Sequence, residues 1–134
     1  MKRALALALL TALPAAADEI ETGNAMEGAE LFATYCTACH GTEGRGDGRM
    51  APILTVLPPD LTGLSARNGG VFPTSKVVFQ IDGRDPLLAH GGDMPLFGEF
   101  FQGEDTAVAS ETGQPIMTSQ PIADVVAWLR GIQE

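Results

Sequence analysis

Both cysteines of this 134-residue chain fall in one five-residue run, Cys36-Thr37-Ala38-Cys39-His40, together with one of its two histidines. A single pair of thiols three residues apart cannot staple distant segments, so no disulfide framework holds the fold. Large side chains are also few, with 6 Phe, 1 Tyr and 1 Trp. Such a chain buries a thin core on its own. A large apolar ligand would complete it.

The run sits at the end of a helical pattern. Asn24 is a side-chain cap with Glu27 three residues on, a capping-box start. Gly28, Leu31, Phe32, Tyr35 and Cys39 then follow one helical stripe. The spacing predicts a first helix from about Ala25 into the cysteine motif. A helix this short is marginal in isolation and needs a partner. The other end of the chain offers one: Ser119-Gln120-Pro121 is a helix start, and Ile122, Val125, Val126, Leu129 and Ile132 share a face, with Trp128 beside them. A third helix is predicted from Ser75 to Asp82, where Val77, Val78 and Ile81 share a face and Gly83 can cap the end. Between these lie loops, of which Gly41-Thr-Glu-Gly44-Arg-Gly46-Asp-Gly48 is too rich in glycine for regular structure. No clear alternation of apolar and polar residues is present, so no substantial sheet is expected. The fold class is mainly α, three to five helices with long loops.

Three chemistries use a CxxCH-like cluster. A thiol-redox CxxC follows a strand and opens a helix, whose N-terminus lowers the first thiol's pKa. Here the cysteines come at the end of a helical stripe, where the dipole has the wrong sign for a thiolate. A structural zinc site needs four ligands. Cys36, Cys39, His40 and His90 suffice in number, but adjacent Cys39 and His40 would have to share one metal. Covalent heme attachment is specified by CxxCH directly. Residues at i and i+3 lie on one helical face, so two sulfurs can bond the two porphyrin vinyl groups while His40 binds iron. The cofactor expected is one heme c, held by two thioethers.

The second axial ligand has several candidates. Met26 lies too near the motif to cross the ring, which leaves Met50, Met94, Met117 and His90. Met94 follows His90-Gly91-Gly92-Asp93, a pliable loop, and Pro95 biases it to extended backbone. That loop can deliver a thioether to iron without competing for helical hydrogen bonds, and Met94 is the preferred candidate.

Met1-Lys2-Arg3, the apolar run from Ala4 to Leu13, and Pro14-Ala15-Ala16-Ala17 have the layout of a secretory signal peptide cleaved after Ala17. Ten apolar residues form a helix of roughly 15 Å, about half of a bilayer's hydrocarbon core, too short for an anchor. The organisation expected is a signal peptide at 1–17 and one domain at 18–134, exported to the periplasm and soluble. Cleavage removes Lys2 and Arg3, which lowers Lys plus Arg from 8 to 6 against 17 Asp plus Glu, a formal charge of −11. That argues against nucleic acid and anionic lipid as partners and suits a protein with a basic docking surface.

The sequence resembles the class I cytochromes c. Gly28-x-x-x-Phe32-x-x-x-Cys36-x-x-Cys39-His40-Gly41 is similar to that family's first helix and heme motif. Ala89-His90-Gly91-Gly92-Asp93-Met94-Pro95 looks like its methionine loop, and Val125-x-x-Trp128-Leu129 like its closing helix. The resemblance implies a close crossing of the two terminal helices at Gly28, and a proline carbonyl, from Pro52 or Pro58, that orients His40 through its ring N–H. It departs from the family pattern in about 25 residues between Met94 and the last helix, from Leu96 to Gln120, which keep Met117 as a rival ligand. With His40 and a thioether both on iron, no position is open for substrate. The function implied is single-electron transfer between periplasmic or membrane redox proteins, not catalysis. Two alternatives are a heme-bearing subunit or dedicated acceptor of a periplasmic oxidoreductase complex, and a ligand-binding heme sensor.

Overall fold

The computed structural model describes residues 23–84 and 94–134. The expected signal peptide, His90 and the loop residues before Met94 lie outside them. Five α-helices follow in order: α1 (Ala25–Tyr35), α2 (Thr37–His40), α3 (Leu64–Arg67), α4 (Thr74–Asp82) and α5 (Gln120–Gly131). A single 3-10 turn, Ala51–Ile53, follows the glycine-rich loop. Two strands, β1 (Asp105–Ala109) and β2 (Pro115–Ser119), pair antiparallel between α4 and α5.

The helix starts and stops follow local chemistry. Asn24 caps α1, its side chain accepting from the Met26 N–H at 3.0 Å. The other half of the expected capping box is replaced: the Asn24 N–H donates to Asp124 Oδ1 at 2.7 Å, on the far helix. A tertiary partner therefore takes the donor that Glu27 would have taken. Helix α4 ends as the sequence predicts, with Gly83 left-handed at φ 86° and its N–H on the Phe79 carbonyl. Ser119 precedes α5 in extended conformation and Pro121 occupies its first turn, where its missing N–H costs nothing.

Helices α1 and α5 cross at contact distance, and α4 also packs on α5. Ile122, Val125, Val126 and Leu129 of α5 are all at most 4% exposed. They meet Phe32 of α1, Val77, Val78 and Ile81 of α4, and Phe101 in one core cluster. Each such side chain contributes about 1.5–3 kcal/mol by leaving water.

The hairpin is the main departure from the sequence reading. It lies in the insertion between Met94 and α5, and it buries Val108 against Ile116 in register while Met117 faces solvent. Its turn is closed by Gly113 at φ 79°, whose N–H reaches the Ser110 carbonyl. Five-residue strands of Ala, Thr and a few branched residues carry too weak an alternation to register in the sequence. Packing on α5 stabilises them instead. Arg130 of α5 fastens this assembly, donating to Thr74 Oγ1 at the start of α4 (2.8 Å) and to the Ala109 carbonyl at the end of β1 (3.0 Å).

Candidate functional site

The helix that carries the motif is interrupted at its first cysteine. Cys36 ends α1 at φ −112° and ψ −30°, its N–H still bonded to the Phe32 carbonyl, and a second short turn runs on to His40. The Cys39 and His40 N–H groups both bond the Cys36 carbonyl, at 3.2 and 2.9 Å. This turn places both sulfurs and the imidazole together at one wall. The glycine loop then folds back under it. Gly46, Gly48 and Met50 donate N–H groups to the carbonyls of His40, Cys39 and Ala38 at 2.8, 3.1 and 2.8 Å. Gly48 has to be glycine there, because a Cβ would meet the Ala38 carbonyl oxygen at 2.5 Å. The loop that the sequence marks as too rich in glycine for regular structure thus satisfies the end of the motif.

Cys36, Cys39 and His40 line a cavity of about 640 Å³, a volume in the range of cofactor sites. Apolar walls come from Phe32, Leu61, Leu64, Val77, Ile81 and Leu129. Met94 lines the same cavity from a different element, and Gln80 of α4 donates its side-chain N–H to the Met94 sulfur at 3.7 Å. Arg67 and Lys76 also line it, as does Pro58, whereas Pro52 is exposed on the 3-10 turn. Met50 is partly exposed beside that turn. Met117, on β2, borders a separate and more open hollow of about 580 Å³ that shares only Phe101 with the first.

The electrostatics suit ligation better than thiol redox. The two cysteines are free of a disulfide. Burial, with the neighbouring Cys39, pushes the Cys36 thiol up to about 11. A thiol so raised is a poor nucleophile at neutral pH. Burial also lowers the His40 pKa, which favours the neutral imidazole that a metal needs. Its Nδ1 is buried without a hydrogen-bond partner among the described residues; with the proton on Nδ1, Nε2 carries the lone pair that could bind iron. Among the described residues no three His, Cys, Asp or Glu form a metal-binding group, and His90, the fourth ligand of the zinc arrangement, lies outside them. A cavity of this volume with apolar walls, two unpaired thiols, a neutral imidazole and a thioether fits a heme.

Comparison with known proteins decides the family. The sequence matches the Cytochrome c family over residues 25–133. The chain belongs to the cytochrome c family. It is 31% identical over 119 residues to the cytochrome c subunit of alcohol dehydrogenase (quinone) from Gluconacetobacter polyoxogenes, and equally to that of Komagataeibacter europaeus. Each alignment covers 87% of this cytochrome and 21% of the relative, so the chain spans about a fifth of the length of those subunits. Among solved structures, a chain of the Kuenenia stuttgartiensis reducing HAO-like protein complex superposes with a TM-score of 0.56 at 22% identity, covering 87% of this chain and 46% of that one. That likeness is one of fold. The resemblance to class I cytochromes and the mainly α architecture both stand, with the hairpin added. No helix among the described residues is long and apolar enough to cross a membrane.

Sequence reasoning reaches Cys36, Cys39, His40 and Met94, which the fold brings to one cavity. It missed Gln80, Arg67 and Lys76. Gln80 falls one position from the apolar face of α4, and only the position of Met94 gives it meaning.

Proposed function

We propose that this cytochrome is an exported, single-heme carrier of electrons between periplasmic or membrane redox proteins. The observation that carries the reading is the one apolar cavity lined jointly by Cys36, Cys39, His40 and Met94. A heme bound there supplies a one-electron iron couple. Cys36 and Cys39 would tether it, and His40 and Met94 would supply a nitrogen and a sulfur ligand to its iron. Two protein ligands leave no open position for substrate, which supports a carrier over an enzyme. Apolar walls limit water at the site, and a Met/His ligand pair raises the reduction potential. Arg67 and Lys76 are the cations at hand for the heme carboxylates. Of the two prolines only Pro58 lines the cavity with His40, and since Nδ1 has no partner among the described residues, a Pro58 carbonyl bond to it would have to form on heme binding.

A denaturing gel stained for heme, run with an iron-to-protein ratio, tests this. One covalent heme per chain is expected, lost when both cysteines are replaced by serine. A wild-type chain from a heme-loading host that carries none overturns the reading. Export and cleavage are tested by the mass of the periplasmic product, expected to begin at Asp18.

The second reading is a heme-bearing subunit of an oxidoreductase complex, and the curated relatives favour it by being named cytochrome c subunits of a quinone alcohol dehydrogenase. A stoichiometric partner in mild purification supports it. A chain that purifies alone supports the mobile carrier.

A further inference from the structure

The stretch of cavity wall that carries Leu61, Leu64 and Arg67 has little regular structure of its own. Helix α3 is four residues long and no side chain of its own segment caps its start. One amide from elsewhere holds it. Gln133, just past α5, accepts from the Ser65 N–H through Oε1 at 2.9 Å and donates through Nε2 to the Leu61 carbonyl at 2.9 Å. The same Nε2 donates to the Leu129 carbonyl in the last turn of α5 at 2.7 Å, and Leu129 lines the cavity too. Beside it the Glu134 N–H bonds the Thr62 carbonyl at 3.0 Å. A primary amide suits this set because it carries two donors and an acceptor on one plane. A carboxylate has no donor for the two carbonyls, and an ammonium has no acceptor for Ser65. A cap on α5 would need only the bond to Leu129. The other two bonds tie α5 to the wall.

We infer that Gln133 is a positioning residue that locks the wall from Leu61 to Arg67 onto α5 and so fixes Arg67 at the cavity mouth. This deepens the heme reading proposed above and rests on it. The Arg67 guanidinium donates to the Asp60 carbonyl, which leaves further N–H groups of its fork for the mouth and for the heme carboxylates. A cation held there opposes the extra positive charge of ferric iron and shifts the couple toward ferrous. Without the Gln133 amide, the Ser65 N–H and the Leu61 carbonyl lose their shared partner. The wall then loosens from α5, and Arg67 loses its fixed place.

The test is a double-mutant cycle in the full heme-loaded protein, with Gln133→Leu, Gln133→Met, Arg67→Gln and the combination of Gln133→Leu with Arg67→Gln. The two Gln133 variants differ in shape, so a folding defect of one leaves the other to be measured. Potentiometry reports the couple, and hydrogen exchange of the Ser65 amide reports release of the wall. In both Gln133 variants the Ser65 amide should exchange faster. The ferric–ferrous equilibrium should move roughly two- to tenfold toward ferric, the size expected from partly withdrawing one charge from a site between water and protein interior. Arg67→Gln should move it the same way, and the double variant no further than Arg67→Gln. A wild-type potential in both Gln133 variants overturns the inference, and so does an effect that adds in full to that of Arg67→Gln. An Arg67→Gln variant with the wild-type potential overturns it as well, while the heme-stained band keeps the proposed function standing. A chain without covalent heme removes both.

Discussion

Gly28 of α1 lies so close to Asp124 of α5 that a Cβ placed on it would stand 2.0 Å from the Asp124 carbonyl oxygen. The neighbouring Trp128 Cβ would be 3.0 Å away. Backbone cannot give as a side chain can, so the helices would have to part. This crossing also seats Phe32 on Trp128, with ring centroids 4.1 Å apart, and Phe32 forms part of the cavity wall. Gly28→Ala is therefore expected to destabilise the holoprotein by about 1–3 kcal/mol, the usual range for overpacking, despite alanine's better helix propensity. Urea denaturation checks it. A variant at least as stable as wild type would show that the crossing tolerates a methyl group.

Asp124 has a second duty at the same crossing. It is 7% exposed and accepts from the Asn24 N–H at 2.7 Å and from Gln120 Nε2 at 2.8 Å. Asp124→Ala strands the Asn24 donor at the start of α1 and should cost about 1–3 kcal/mol. Asp124→Asn keeps one acceptor oxygen and should cost less. Thermal unfolding of the two variants side by side separates a lost acceptor from a lost charge; equal losses would assign the effect to charge.

The two methionines once in competition now differ in place. Met94 lines the cavity, while Met117 is 60% exposed on β2. Met94→Ala should abolish the long-wavelength sulfur-to-iron band and the six-coordinate low-spin state. Met117→Ala should leave both intact. Absorption and electron paramagnetic resonance spectra of the ferric proteins distinguish them, and the reverse pattern would move the ligand to the hairpin.

What could be read in advance follows a physical division. The terminal helices were legible because Phe32, Val125, Val126 and Leu129 repeat at helical spacing and face one core. The cysteine motif was legible because its chemistry is local, with all its groups within one turn. Pro95 and the glycines before Met94 singled it out in the sequence, and the fold places it in the cavity wall. The hairpin was not, since Val108 and Ile116 are the only strongly buried apolar pair of its register. Gln80 was not, since a lone amide on a helix carries no signal until a sulfur stands beside it. Asn24 misled in part: its capping side chain was visible, but the partner of its N–H lay a hundred residues away in Asp124.

Glu111, at the hairpin tip, closes the start of α4. Its carboxylate accepts from the Ser75 N–H at 3.0 Å and from the Ser75 hydroxyl at 2.7 Å. Partial burial pushes its pKa up, and the Ser75 hydrogen bonds more than offset this, so the group lies below its ordinary value. A carboxylate whose pKa is lowered by folding adds stability that is complete above its unfolded pKa of about 4.3 and is lost as pH falls through the folded value. Glu111→Gln removes that charge from a helix N-terminus. The site is exposed, so the loss at pH 7 should be small, about 0.3–1 kcal/mol. The gap between wild type and variant should then shrink as pH is taken below about 4, because the wild-type carboxyl becomes neutral like the amide. Paired urea denaturations at both pH values measure it, and iron-ligand titration, common to both proteins, cancels in the difference. A gap that stays constant with pH would mean that Glu111 holds α4 by its shape and not by its charge.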